Sequence, residues 1–409
     1  LSPLLTGARA DAARDAIATI AAALRDPAVT ETDPTLRSPG VGSGAAGVAV
    51  FFAELGDEET ALAYLDRALD GAAEAPPSAL LYTGTIGVGW TLAYLERSLL
   101  DSDDGPDDVE DLARQALSGA AWPSADLIRG VTGVGVYLLE RLPRPTARQA
   151  LDLVVQRLTA MAETQPSGAT WWVDPATCLP DRRAAYPEGY YDVGLAHGQA
   201  GTVALLAGMV AAGVESARPL LESATGWLLA QRLPDDAGPG RYPLIVAKDD
   251  RPPNGGRLAW CYGDPGVAIA LLAAGRALHD EAIVDEAAGL ARLCAERPDD
   301  RAGVLDAPLC HGSAGLMQVF GRLAQGLQDE RLADAARHWC DVLFAQLAPG
   351  EPVGGVRTVR PGDGNPVHEP LGGFLEGAAG VGLALLSAIS DRPGGWDALL
   401  LTRPPESVG

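Results

Sequence analysis

Seven Gly-x-x-Gly pairs, each opening an apolar run, recur along this 409-residue chain and constrain its fold more than any other feature. They are Gly44/Gly47, Gly84/Gly87, Gly130/Gly133, Gly198/Gly201, Gly263/Gly266, Gly312/Gly315 and Gly377/Gly380. Successive pairs lie from 40 residues (Gly44 to Gly84) to 68 residues (Gly130 to Gly198) apart. Such a unit has room for two helices and their loops, as in helical repeat arrays. Glycine ahead of a helix permits a tight turn and a close approach of neighbouring chain. Three of the turns carry reactive residues: His197 before the fourth, Cys261 before the fifth, Cys310 and His311 before the sixth.

Between the turns the periodicity is helical. Amphipathic segments fall at 8–26 (Ile17, Ile20 and Leu24 on one face) and near 58–73, 107–119, 146–163, 216–232, 279–297 and 328–347. The segments after the glycine turns are apolar on nearly all sides, as in Val134–Leu139, Val267–Leu272 and Val381–Leu386. A helix apolar all round is buried on all sides, whereas an amphipathic one lies at a surface. The alternation therefore predicts an all-α chain, an α/α toroid of seven inner and seven outer helices, forming a single domain over 1–409. Closing the ring removes the exposed ends that an open solenoid must cap. All inner helices would start at one end of the barrel, so the glycine turns are expected to converge on one mouth.

Two stretches break the rhythm. Residues 165–194 hold Trp171, Trp172, Tyr186, Tyr190 and Tyr191, several prolines and Cys178. Long connections in compact folds are commonly lids or binding loops, and a packed surface excursion is the other reading of this one. Residues 349–371 are Gly/Pro-rich and read as a loop over one rim. The tail from Asp391, with Trp396, reads as a terminal strap.

Composition excludes several functions. The formal charge of −23 repels nucleic acid and anionic membranes. Lys248 is the only lysine, which leaves little scope for Schiff-base chemistry. No apolar stretch reaches the roughly 18 residues of a membrane span, and the N-terminus lacks a signal-peptide profile. Aromatics are 5% of residues against 47% apolar overall, so Ala, Leu, Val and Gly must fill much of the core. Five cysteines, an odd and sparse set, do not make a disulfide framework and fit a reducing cytoplasm.

Zinc in a catalytic site takes three protein ligands and keeps a fourth position open. Cys261, Cys310 and His311 supply two thiolates and an imidazole, each just ahead of an inner helix. Their pattern also admits two small cysteines packed near the core beside an incidental histidine, since no close Cys-x-x-Cys pair is present.

Three motifs add to this reading: Trp260-Cys261-Tyr262-Gly263, Cys310-His311-Gly312 and Gly194-Leu195-Ala196-His197-Gly198. Together with the seven turns, hence over nearly the whole chain, they resemble the LanC-type lanthipeptide cyclases. The resemblance implies zinc held by Cys261, Cys310 and His311, and an active-site histidine at His197. It further places the family's aspartate on Asp126, its arginine on Arg257 and its tyrosine on Tyr262. Fuller members insert an SH2-like subdomain near 165–194, and this stretch is short for one.

The implied reaction is an intramolecular Michael addition. A peptide cysteine attacks the β-carbon of dehydroalanine or dehydrobutyrine in the same dehydrated precursor peptide, giving lanthionine or methyllanthionine. His197 would protonate the α-carbon, because imidazole titrates near neutral pH. Asp126 would orient or charge-balance it, and Arg257 would stabilise negative charge or hold Asp126. A separate dehydratase is the expected supplier of substrate, since the chain has no dehydratase domain of its own. Asp126 as a helix cap, Arg257 in a structural pair and Tyr262 as wall packing are the plainer roles. Cys294 and Cys340 are expected to be buried bystanders, and His279, His338 and His368 surface residues. Competing functions are addition of an external thiol such as glutathione to dehydrated residues, a prenyltransferase-like toroid, and a non-catalytic helical scaffold. Seven turns and two cysteines argue against the prenyltransferase, which has a six-fold ring with Asp, Cys and His ligands.

Overall fold

The computed structural model describes residues 3–99, 107–119, 122–249, 255–360, 366–391 and 394–403. Its long helices alternate as the apolar pattern dictates. The amphipathic series is α1 (Gly7–Arg25), α3 (Glu58–Glu74), α5 (Asp107–Ser118), α7 (Pro145–Met161), α9 (Arg218–Leu229), α11 (Glu281–Ala295) and α13 (Glu330–Gln346). Each of the other seven follows a glycine turn: α2 (Ala45–Leu55), α4 (Thr85–Leu99), α6 (Val131–Glu140), α8 (Gln199–Ala211), α10 (Asp264–Leu278), α12 (Ser313–Leu327) and α14 (Ala378–Ile389). Helix α2 buries every residue from Ala45 to Ala53, whereas α3 buries only the stripe of Ala61, Tyr64, Leu65 and Ala68.

The two series begin differently. Three of the amphipathic helices take side-chain caps: Asp57 accepts from Thr60 N, Asp280 from Ala282 N and Ile283 N, and Asp329 from Arg331 N. The helices that follow glycine turns are capped by their own loops. Their first N–H groups donate to carbonyls seven residues back, as in Ala45 to Ser38 (2.9 Å), Ser313 to Asp306 (3.0 Å) and Ala378 to Leu371 (2.9 Å). Orphan first-turn donors are thereby satisfied without a capping side chain. Folding the loop back this tightly is what requires the second glycine of a pair. A Cβ on Gly87 would sit 1.8 Å from the Leu81 carbonyl oxygen, and one on Gly315 1.9 Å from that of Leu309. Steric approach, not positive φ, sets the pattern; of the inner-helix cap glycines, Gly263 alone has φ of +122°.

The elements group into two compact units. One comprises Leu1–Leu112 with Val304–Asp397. In it α2 packs on α4 and α14, and α12 packs on α13 and α14, while α1 covers α14. Its turns are stitched by backbone bonds: Cys310 N to Leu375 O (2.9 Å), Leu375 N to Gly42 O (2.7 Å) and Gly42 N to Tyr82 O (2.9 Å). The seventh turn thus lies directly beside the first, which is the closure the sequence predicts. The terminal strap also packs here, with Trp396 fully buried against Phe374.

The second unit comprises Ala113–Gly303 with Ala398–Gly409. Helix α8 packs on α6 and α10, and both Leu195 N and Ala196 N donate to Cys261 O (2.9 and 3.2 Å). The irregular segment 165–194 is ordered here and integral to the unit. Strands β1 (Glu163–Gln165) and β2 (Gly168–Thr170) form a hairpin against α9. Strands β3 (Trp172–Val173), β4 (Tyr190–Asp192) and β5 (Ile245–Ala247) form an antiparallel sheet in that order. Gln199 donates from Nε2 to the Ala169 and Ala224 carbonyls, and Trp171 Nε1 to the Leu158 carbonyl. Of the rim loop 349–371, strands β6 (Thr358–Arg360) and β7 (Val367–Glu369) pair antiparallel. Its residues 361–365, and 404–409 of the tail, lie outside the described residues.

Candidate functional site

The turn before α8 presents His197, and the turn before α6 presents Asp126. His197 Nδ1 lies 3.1 Å from Asp126 Oδ2, across 71 residues of chain. Asp126 Oδ1 accepts from Arg129 N at 2.5 Å, so the carboxylate is fixed at both oxygens. Burial works against the imidazolium. The Asp126 carboxylate, with Asp192 nearby, outweighs it and raises the His197 pKa above its ordinary value.

Asp192, at the end of β4, is a second carboxyl that the motifs did not single out. Fully enclosed, it accepts from Gly194 N at 2.9 Å and from the Tyr262 hydroxyl at 2.6 Å. Burial pushes its pKa up to about 6 against those donors and the charge of His197. Burial and the Asp192 carboxylate also raise Tyr262 far above the usual phenol range. Tyr262 and His197 face one another with ring centroids 6.0 Å apart. Asp126, Asp192, His197, Thr202, Trp171 and Trp172 line one pocket, so the irregular segment contributes its wall. Lys248 Nζ caps the Trp172 ring, 3.8 Å from its centroid.

Cys310 and His311 stand together on the turn before α12, and Cys261 stands on the turn before α10. Two sulfurs and an imidazole form a donor set suited to zinc, whose ligands stand ~2.0–2.3 Å from the ion. Arg257 Nη2 lies 3.9 Å from Cys261 Sγ, so the arginine sits beside the sulfur and not on Asp126. His311 Nε2 lies 3.5 Å from Asp306 Oδ2. Cys294 and Cys340 are buried in α11 and α13, and burial raises both thiols, that of Cys340 to about 12. His368 stands in β7, His338 stacks edge-on with Trp339, and His279 ends α10.

The profile of lanthionine synthetase C-like proteins matches residues 36–401. The chain belongs to the lanthionine synthetase C-like family. It is similar to the nisin biosynthesis protein NisC of Lactococcus lactis subsp. lactis, at 25% identity over 68% of this chain and 72% of that one. The solved structure of a nisin cyclase superposes with a TM-score of 0.76 at 19% identity, covering 95% of this chain and 97% of the other. The fold is accordingly the α/α toroid of seven inner and seven outer helices.

Within this family member, Asp192 and Asp306 occupy one repeat position, six residues before the first glycine of a turn. Asp-x-x-x-x-His-Gly occurs in both histidine-bearing turns, Asp192 to Gly198 and Asp306 to Gly312. That spacing was the available sequence signal. Asp264 stands at the start of α10 and pairs with the buried Arg297 side chain at 2.9 Å while accepting from Arg241 N and Tyr242 N. Glu376 pairs with Arg360 at 2.7 Å. Among the described residues no helix is long and apolar enough to cross a membrane.

Proposed function

We propose that the chain is a zinc-dependent lanthipeptide cyclase acting as one domain over 1–409, with 165–194 as a wall that grips substrate peptide. The observation that carries the reading is the set of Cys261, Cys310 and His311 on the glycine turns of a lanthionine synthetase C-like chain. A zinc ion bound there would lower the pKa of a peptide cysteine and keep it a nucleophilic thiolate at neutral pH. That sulfur bonds to the β-carbon of a dehydroalanine or dehydrobutyrine in the same peptide, giving lanthionine or methyllanthionine.

His197 supplies the proton that the α-carbon takes up. Its pKa is raised above the ordinary imidazole value, which favours the protonated form that a general acid requires. Asp126, on Nδ1, fixes the ring so that Nε2 carries the transferable proton. Tyr262, held by Asp192, stands across from the imidazole and narrows the space around the reacting carbons. Arg257 lies beside Cys261 Sγ, and its charge offsets the negative sulfurs and the enolate that forms during addition. The substrate is a dehydrated precursor peptide supplied by a separate dehydratase, and the odd, sparse set of five cysteines is in keeping with a cytoplasmic location.

The test is to incubate the zinc-loaded protein with a dehydrated peptide and alkylate the remaining thiols before mass spectrometry. Ring closure leaves the mass unchanged and blocks alkylation. Repeating the incubation with glutathione separates ring closure from external addition, which adds the mass of the thiol. An unchanged free-thiol count with no adduct would reject both activities.

A further inference from the structure

We infer that Asp306 is a positioning residue that sets which nitrogen of His311 faces a metal; the inference rests on the zinc reading above. Asp306 is 3% exposed and opens the turn that carries Cys310 and His311. Its main-chain carbonyl accepts from Ser313 N at 3.0 Å, which fixes it to the start of α12. Its Oδ2 accepts from Val359 N in β6 at 3.0 Å and lies 3.5 Å from His311 Nε2. Its Oδ1 is buried without a hydrogen-bond partner. A buried carboxylate short of donors draws a proton-bearing nitrogen. His311 therefore carries its proton on Nε2, toward Asp306, and leaves the Nδ1 lone pair for the ion. Metal-bound histidines usually hold their second nitrogen in this way, which fixes the tautomer and raises ligand basicity.

The repeat supplies an internal contrast. Asp192 holds the same turn position, five residues before His197, but there Asp126 takes the ring and Asp192 turns to Tyr262 and Gly194. The remaining turns place Ser38, Ser78, Ser124, Arg257 and Leu371 at that position. The acid thus accompanies the histidine-bearing turns alone.

The experiment uses the full chain with 15N-labelled histidine, the His311 signals being assigned by their loss in His311→Ala. In metal-free wild type, His311 is expected as the Nε2–H tautomer; an Nδ1–H tautomer overturns the inference. Zinc affinity is then measured by competition with a chromophoric chelator. Asp306→Ala should weaken binding about 10- to 100-fold, and Asp306→Asn, which keeps an acceptor oxygen, should recover most of the loss. Wild-type affinity in a folded Asp306→Ala chain would leave Asp306 a mere tether for β6. Should that variant fail to fold, the wild-type tautomer still decides. A wild-type chain that binds no zinc rejects the zinc reading itself, whereas zinc bound to an Nδ1–H histidine rejects this inference alone.

Discussion

His197 Nδ1 and Asp126 Oδ2 stand 3.1 Å apart, joining two repeats at the same end of their helices. Removing the charge while keeping the shape, in Asp126→Asn, should reduce cyclisation kcat/KM by roughly 10²-fold, the lower range for general acid catalysis. Its pH profile should change as well. Activity needs protonated His197, so the alkaline limb of wild type lies above the ordinary histidine pKa. In the variant that limb should move to lower pH, and an unmoved limb would mean that another group donates the proton.

The same pair sets a stability difference. A folded pKa raised above the unfolded value contributes stability that is complete below about pH 6.5 and disappears as pH rises through the folded pKa. Urea denaturation of wild type and Asp126→Asn should therefore diverge most at acid pH and converge at alkaline pH. The gap should be modest, because the His197 side chain is 31% exposed.

Glycine substitutions separate the turn from the helix. Gly87→Ala forces a Cβ to within 1.8 Å of the Leu81 carbonyl and should cost about 1–3 kcal/mol or more. Gly289, inside α11, has no atom within 4 Å of where an alanine methyl would stand, and Gly289→Ala should gain roughly 0.5–1 kcal/mol. Denaturant midpoints at constant slope check both signs.

Trp172 forms part of the pocket wall beside His197. Trp172→Ala should raise KM for the dehydrated peptide several-fold, about 1 kcal/mol of lost aromatic contact. Zinc content should stay at the wild-type level. An unchanged KM would make Trp172 packing for Lys248 and Tyr191 alone.

Much of this was legible in the residues. The amphipathic segment expected at 58–73 is α3 at Glu58–Glu74, and that expected at 279–297 is α11 at Glu281–Ala295. A strong helical period survives any tertiary context, so these elements were readable. The glycine pairs were readable as turns, but not the reason for them, because a carbonyl six residues back is a three-dimensional neighbour. Strands β3 to β5 run two or three residues each, too short to show an alternating period. Segment 165–194 drew notice for its aromatics, yet Trp171 and Gln165 tie it into α7 and α9, so excising it would damage the unit. Asp192 and Asp306 were missed because a lone aspartate in a loop reads as a turn residue. Only the repeated offset to a histidine marks them.

The most direct test of the account follows free thiols in a dehydrated precursor peptide, by alkylation and mass spectrometry, with zinc-loaded, chelator-stripped and Cys310→Ala protein. The account predicts loss of alkylatable thiol with the loaded wild type alone, and its return when zinc is restored to the stripped protein. Rings closed at the wild-type rate by metal-free protein, or by Cys310→Ala, would contradict it.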